Sequence, residues 1–210
     1  MKSPINDLAE ALILIRNLLE ASNTRVIIGI TGQPGAGKST FAKMILNELD
    51  DGFATIVPMD GFHYSNSALN RLGRLERKGA PDTFDAHGFK ELLKRIRVET
   101  VSDIYFPIFH REVEESYSAE GFVTSETKLV ITEGNYLLME TEGWTGISEL
   151  LDECWYLVVE DDVRRNRLIS RHQLYGKDAE AAKTWTDGSD EKNAESISST
   201  KHRADRLVRL

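Results

Sequence analysis

The stretch GQPGAGKST, from Gly32 to Thr40, constrains this chain more than any other part of it. It satisfies the spacing G-x-x-x-x-G-K-[ST] between a β-branched apolar run, Val26 to Ile30, and a helix-forming segment, Phe41 to Leu49. Gly32, Gly35 and Gly37 let the backbone turn through positive φ and approach a ligand closely, so that the amides of Gly32, Gln33, Pro34, Gly35, Ala36, Gly37, Lys38, Ser39 and Thr40, proline excepted, can ring an anion. The helix that starts there adds the positive end of its dipole. Lys38 is placed to bridge the β and γ phosphates, and the hydroxyl of Ser39 to ligate magnesium. A plain glycine-rich turn between strand and helix accounts for the glycines but not for Lys38 and Ser39 in register. The expected ligands are therefore a nucleoside triphosphate and Mg2+.

Composition narrows the partners. A chain of 210 residues is long enough for one good-sized core and short for two, so a single domain over 1–210 is expected. Lys plus Arg number 26 against 34 Asp plus Glu, a net charge of −8, and no global basic field recruits nucleic acid. The lone cysteine, Cys154, lies in the apolar run CWYLVV and reads as a buried inert thiol, which fits a reducing cytoplasm. No window approaches the ~20 apolar residues of a membrane span, and Asp7 and Glu10 stand where a signal peptide would be basic and then apolar. The expectation is a cytoplasmic protein acting on a small molecule, with no membrane or nucleic-acid partner and homodimerisation left open.

Along the chain, Ser3 and Pro4 read as a helix start, followed by Ile5, Leu8, Leu12, Ile15 and Leu19 at helical spacing. Phe53 to Met59 reads as a second strand ending at Asp60 and DGFHYSN, which puts Asp60, His63 and Tyr64 beyond a strand's carboxyl end, on the edge where open α/β sheets bind ligands. An aspartate helping a turn beside Gly61 is the simpler alternative. Asn70 to Ala86 is a long excursion, a type of segment that usually serves function, before a helix at Gly88 to Arg97. IYFPIF, Ile104 to Phe109, suits an edge strand or an extended loop wall because of Pro107, and His110 and Arg111 follow it, as a solvated basic pair or as part of a site.

Lys128 to Met139 reads as a third core strand with Glu133 placed to hold magnesium, and Cys154 to Val159 as a fourth, followed by Glu160, Asp161 and Asp162 capping the next helix. That helix, Val163 to Tyr175, carries Arg164, Arg167 and Arg171 on one face. The choice is between a solvated charged face and a lid, over about residues 163–190, whose cations cover a transferring phosphoryl group. Thr184 to Thr200 is polar, poor in large aliphatic residues and expected to be mobile, and Arg203 to Leu210 is a candidate final strand.

The succession GQPGAGKST, MDGFH, KGAPDTFDA, ITEGNYLL and RRNRLISRH resembles the P-loop kinase family that includes uridine kinase, phosphoribulokinase and bacterial-type pantothenate kinase, from Arg25 to about Leu210. MDGFH through KGAPDTFDA is most similar to pantothenate kinase, and EGNYLL to smaller fructokinase-like relatives. The resemblance implies a doubly wound parallel α/β fold with a helical lid. It also implies transfer of the γ-phosphoryl group of ATP to a hydroxyl of a pantothenate-, nucleoside- or sugar-like metabolite. Asp60 would be the base, Glu133 the metal-linked acid, and Arg164, Arg167 and Arg171 the lid cations that with Lys38 serve catalysis. Asp60, His63, Tyr64, Arg111, Asn135 and Tyr136 would face the acceptor. The chain departs from the family where Arg171 is followed by His172 instead of an acid, and it lacks the long extensions of true pantothenate kinases. A dedicated nucleoside kinase and a non-catalytic nucleotide-binding regulator remain as alternatives, the GTPase version of the latter weakened by the lack of an N-K-x-D segment.

Overall fold

The structure, a computed structural model, describes residues 2–141 and 143–209. Asp7 opens the chain's first helix, its carboxylate accepting the Glu10 N–H at 2.8 Å, so α1 runs Leu8–Ala21 instead of starting at Pro4. Ile5 lies outside it, in an extended bridge to Val208. Then come β1 (Val26–Thr31), α2 (Lys38–Asn47), β2 (Ala54–Pro58), α3 (Asn66–Leu72) and α4 (Ala86–Val98). These are followed by β3 (Ile104–His110), β4 (Glu115–Val123), β5 (Leu129–Glu133) and β6 (Glu153–Leu157). Helices α5 (Asp161–Leu174), α6 (Ala179–Trp185) and α7 (Glu191–Ser198) precede β7 (Arg206–Val208), the expected final strand; Leu210 lies outside the described residues.

The central sheet is wholly parallel, in the order β2-β5-β1-β6-β7. Every residue of β1, β5 and β6 is buried, as the unbroken apolar runs require of strands covered on both faces. Val26, Ile28 and Ile30 pack on one face with Ala11 and Ile15 of α1 and Phe41, Ala42 and Ile45 of α2. Ile27, Val57 and Val130 point the other way, onto Leu92 and Ile96 of α4. Successive strands depart from β1 in both directions, which makes its carboxyl end the switch point of the sheet, and the Gly32–Thr40 loop begins there.

Two further expectations are corrected, those for the third core strand and for Thr184 to Thr200. The third strand stops at Glu133, opposite Ile30 and Pro58, and Asn135 to Met139 leave the sheet so that Tyr136, Leu137 and Leu138 are buried in a second apolar cluster. IYFPIF is the edge strand expected, in a separate two-stranded antiparallel ribbon with β4, its register shifting between Phe106 and Ile108 around Pro107. The partner strand β4 was not legible, because Tyr117 to Glu120 are exposed and Ala119 (φ 59°) breaks the alternation. Thr184 to Thr200 is helical rather than loose: a five-residue π turn, Thr186–Asp190, joins α6 to α7, and Ala182, Ala194 and Ile197 are buried. The remaining core follows the sequence, with Cys154 buried and its thiol pushed up by that burial. No described helix is long and apolar enough to cross a membrane.

Candidate active site

The register aligning Glu133 with Ile30 and Pro58 brings the ends of β1, β2 and β5 to one edge, where a cleft of about 870 Å³ opens. Gly37 (φ 98°) caps α2, so the Lys38, Ser39 and Thr40 amides lie in its first turn, where no intrahelical acceptor exists. Gly35 (φ 81°) is glycine for a second reason: a Cβ there would stand 2.4 Å from the carbonyl oxygen of Arg164, because α5 lies directly on the loop.

Lys38 is buried and folds back, donating to the carbonyls of Gly32 at 2.9 Å and Gln33 at 3.2 Å. Burial outweighs the nearby charges of Glu133 and Asp60 and lowers its ammonium to about 8. The Ser39 hydroxyl donates to Glu133 Oε1 at 2.9 Å. A hydroxyl and a carboxylate at that separation fit a hard cation such as Mg2+, which takes one or two protein oxygens and completes its shell with phosphate and water. Among the described residues no group of three or more His, Cys, Asp or Glu side chains could hold a metal unaided, so the fit is to an ion shared with phosphates. Burial, then the charge of Asp60, pushes the Glu133 carboxyl up, against Lys38 and the Ser39 hydrogen bond.

Asp60 lies just past β2, in the cleft with this pair, two residues beyond Pro58, which aligns with Glu133. Gly61 admits the ribbon: a Cβ there would fall 2.0 Å from the Pro107 carbonyl oxygen. That approach carries Arg111 over Asp60, with Nη2 donating to Oδ2 at 2.7 Å. Burial disfavours the Asp60 anion, but Arg111, then His63, Lys38 and Arg171 outweigh it and hold the carboxyl below its usual range. His63 Nδ1–H donates to the Asp60 carbonyl at 2.8 Å, and burial lowers its imidazole against the pull of Asp60. The ring lies between Phe84, at 3.9 Å, and Phe109, at 4.6 Å.

Arg167 and Arg171 line the same cleft, Arg167 reaching the Gly35 and Ala36 carbonyls at 3.5 and 3.4 Å. Arg171 makes no side-chain hydrogen bond among the described residues, and burial together with Arg111 lowers its guanidinium. Two expected members are not with them. Arg164 is 1% exposed and turned into the protein, Nε to Asp161 at 2.6 Å and Nη2 to Glu191, because α7 packs over the first turn of α5. Tyr136 is buried and its hydroxyl donates to the Gly79 carbonyl, bracing the excursion. Tyr64 also does not line the cleft: the chain is extended where His63 bridges Phe84, so consecutive side chains point to opposite sides. Asn135 does line it. Asn66, Lys78, Phe84, Phe109 and Asp190 were missed, although the excursion that carries Lys78 and Phe84 was marked as functional by its length.

The sequence matches the Phosphoribulokinase / Uridine kinase family over residues 27–209, and the chain belongs to that family. A Schizosaccharomyces pombe protein named "Putative uridine kinase C227.14" is 36% identical over 160 residues, covering 72% of this chain and 68% of that protein. A Limosilactobacillus reuteri pantothenate kinase is 32% identical over 154 residues, 70% of this chain but only 49% of that enzyme, so the chain spans about half its length. The solved structure described as a "putative fructose transport system kinase" from Silicibacter sp. TM1040 superposes with a TM-score of 0.82 at 32% identity, covering 95% of this chain and 98% of that one. The chain is thus a P-loop kinase in family and in fold.

Proposed function

We propose that the protein transfers the γ-phosphoryl group of ATP to a hydroxyl of a small metabolite, with Asp60 as the base. The observation that carries this is the placement of Asp60: a carboxylate held below its usual range in the same cleft as Lys38 and the Ser39–Glu133 pair, oriented by Arg111. The loop amides and Lys38 would hold the phosphates, and Ser39 and Glu133 would hold Mg2+, which when bound would supply charge neutralisation there. The acceptor oxygen forms a bond to the γ phosphorus as the bond to the β–γ bridging oxygen breaks. The acceptor proton passes to an Asp60 carboxylate oxygen, and ADP leaves with the bridging oxygen. Arg167 and Arg171 are positioned to offset the developing charge while α5 to α7 exclude water. The reaction is tested by incubating the protein with ATP, Mg2+ and a panel of hydroxylated metabolites and following phosphorus by NMR. ADP and one phosphorylated product should appear in equal amounts. ATP binding without any acceptor-dependent ADP would mark the protein instead as a nucleotide-binding regulator.

The arginines of α5 should separate in the same assay. Arg171→Ala is expected to lower kcat by about 10² to 10³, the usual cost of one transition-state donor. Arg164→Ala should instead appear in thermal denaturation, as a loss of about 1–3 kcal/mol from hydrogen bonds to charged partners, with kcat of the folded protein changed less than about tenfold. Equal kinetic losses in both variants would return Arg164 to the catalytic set.

A further inference from the structure

The cleft holds a cation whose nearest carboxylate, that of half-exposed Glu114, stands off at 3.7 Å. Lys78 lines it with a side chain only 9% exposed. Its ammonium donates to Asn66 Oδ1 at 2.7 Å and to the main-chain carbonyl of Glu114, both neutral oxygens. Among the described residues the one carboxylate oxygen within 4 Å belongs to half-exposed Glu114, at 3.7 Å, beyond hydrogen-bond range. An ammonium has three N–H donors, and two of these go to the neutral oxygens, so one donor is left facing the cleft with only the distant Glu114 carboxylate near it. Burial lowers this ammonium against the pull of Glu114 and Glu115.

The position of that cation relative to the base is set by one ring. Phe109 carries Lys78 Nζ at 5.1 Å from its centroid and the Arg111 guanidinium at 5.9 Å, and Arg111 in turn holds Asp60. His63 and Phe84 continue the same aromatic wall. Glu76, Glu114 and Asp190 also face the cleft, so there is no broad positive field here; selection would come from a single placed donor. A neutral sugar or nucleoside would bring hydroxyls and leave the ammonium as it is.

Resting on the kinase reading, we infer that the acceptor is an anionic alcohol, a compact hydroxy-carboxylate or hydroxy-phosphate whose anion is bound by Lys78 while its hydroxyl meets Asp60 about one aromatic ring away. The anion pairs with the free Lys78 N–H, and the aromatic wall covers the carbon skeleton between the two ends.

The test uses matched acceptors that differ in charge: glycerol, glycerate and glycerol 3-phosphate; panthenol and pantothenate; uridine and uridine monophosphate. With ATP and Mg2+, kcat/KM is expected to be at least about tenfold higher for a charged member than for its neutral partner, and comparing glycerate with glycerol 3-phosphate tells carboxylate from phosphate. Lys78→Met should raise KM for the charged acceptor about 10- to 100-fold, the loss of one charged hydrogen bond, with KM for ATP within about twofold of the parent; Lys78→Arg should recover most of the loss. If neutral members are phosphorylated as well or better, or if Lys78→Met raises KM for charged and neutral acceptors alike, the anionic acceptor is wrong and the kinase reading stands. If no member accepts phosphate although an ATP analogue binds, the kinase reading itself fails and this inference with it.

Discussion

Lys38→Ala is expected to lower phosphoryl transfer by about 10² to 10³ or more while the protein stays folded. The ammonium stands at the root of the loop, within 3.2 Å of two main-chain carbonyls, and supplies the one lysine charge where the β and γ phosphates would lie. Only two neutral carbonyl acceptors lose their donor when the side chain goes, so stability should fall by no more than about 1–3 kcal/mol. Its protonation adds a second signature. Burial holds the ammonium at about 8, so above that pH the free protein carries increasing amounts of neutral amine. Phosphates bind the charged form, and binding must then take up a proton; ATP affinity should fall as pH rises through about 8, by up to tenfold per unit. Calorimetry of ATP-analogue binding in two buffers of different ionisation enthalpy reads that proton, and Lys38→Ala should abolish it. A variant with parent turnover, or one that keeps the pH dependence, would show that another group carries the phosphate charge.

How much was legible in the sequence depended on how local the determinant was. The phosphate loop, the buried strands and the polar residues at their carboxyl ends follow from glycine positions, β-branched runs and one topological rule, and Lys38, Ser39, Asp60, His63, Arg111, Glu133 and Asn135 do meet in one cleft. What was not legible depends on partners distant in sequence. Nothing near Arg164 shows that Glu191 will close over it, so three arginines at helical spacing read alike until α7 is placed. The segment Thr184 to Thr200 looked too polar to pack because its anchors are small, Ala194 beside a single Ile197, and because its order draws on polar contacts with α5: an Arg165–Glu191 ion pair at 2.9 Å and a His172–Asp190 hydrogen bond at 2.7 Å. His172, noted as a departure from the family pattern, thus has a partner on the π turn. Lys78 and Phe109 reach the cleft only through the pairing of the excursion with the ribbon, a long-range contact that no local pattern encodes.

The central claim is that this cleft performs chemistry on an acceptor hydroxyl and does not merely bind nucleotide, and Asp60 separates the two. Asp60→Asn keeps the size of the side chain and an oxygen to accept the Arg111 N–H, but it cannot take a proton. General-base assistance is typically worth about 10² to 10⁴ in rate. The decisive measurement is single-turnover transfer from ATP to the accepted metabolite, beside the dissociation constant of a non-hydrolysable ATP analogue, in the parent and in Asp60→Asn. The account predicts analogue binding within about twofold of the parent and transfer slowed by about 10² to 10⁴. Analogue binding weakened tenfold or more, or transfer at the parent rate, would contradict it and move Asp60 to the metal site or to the turn after β2.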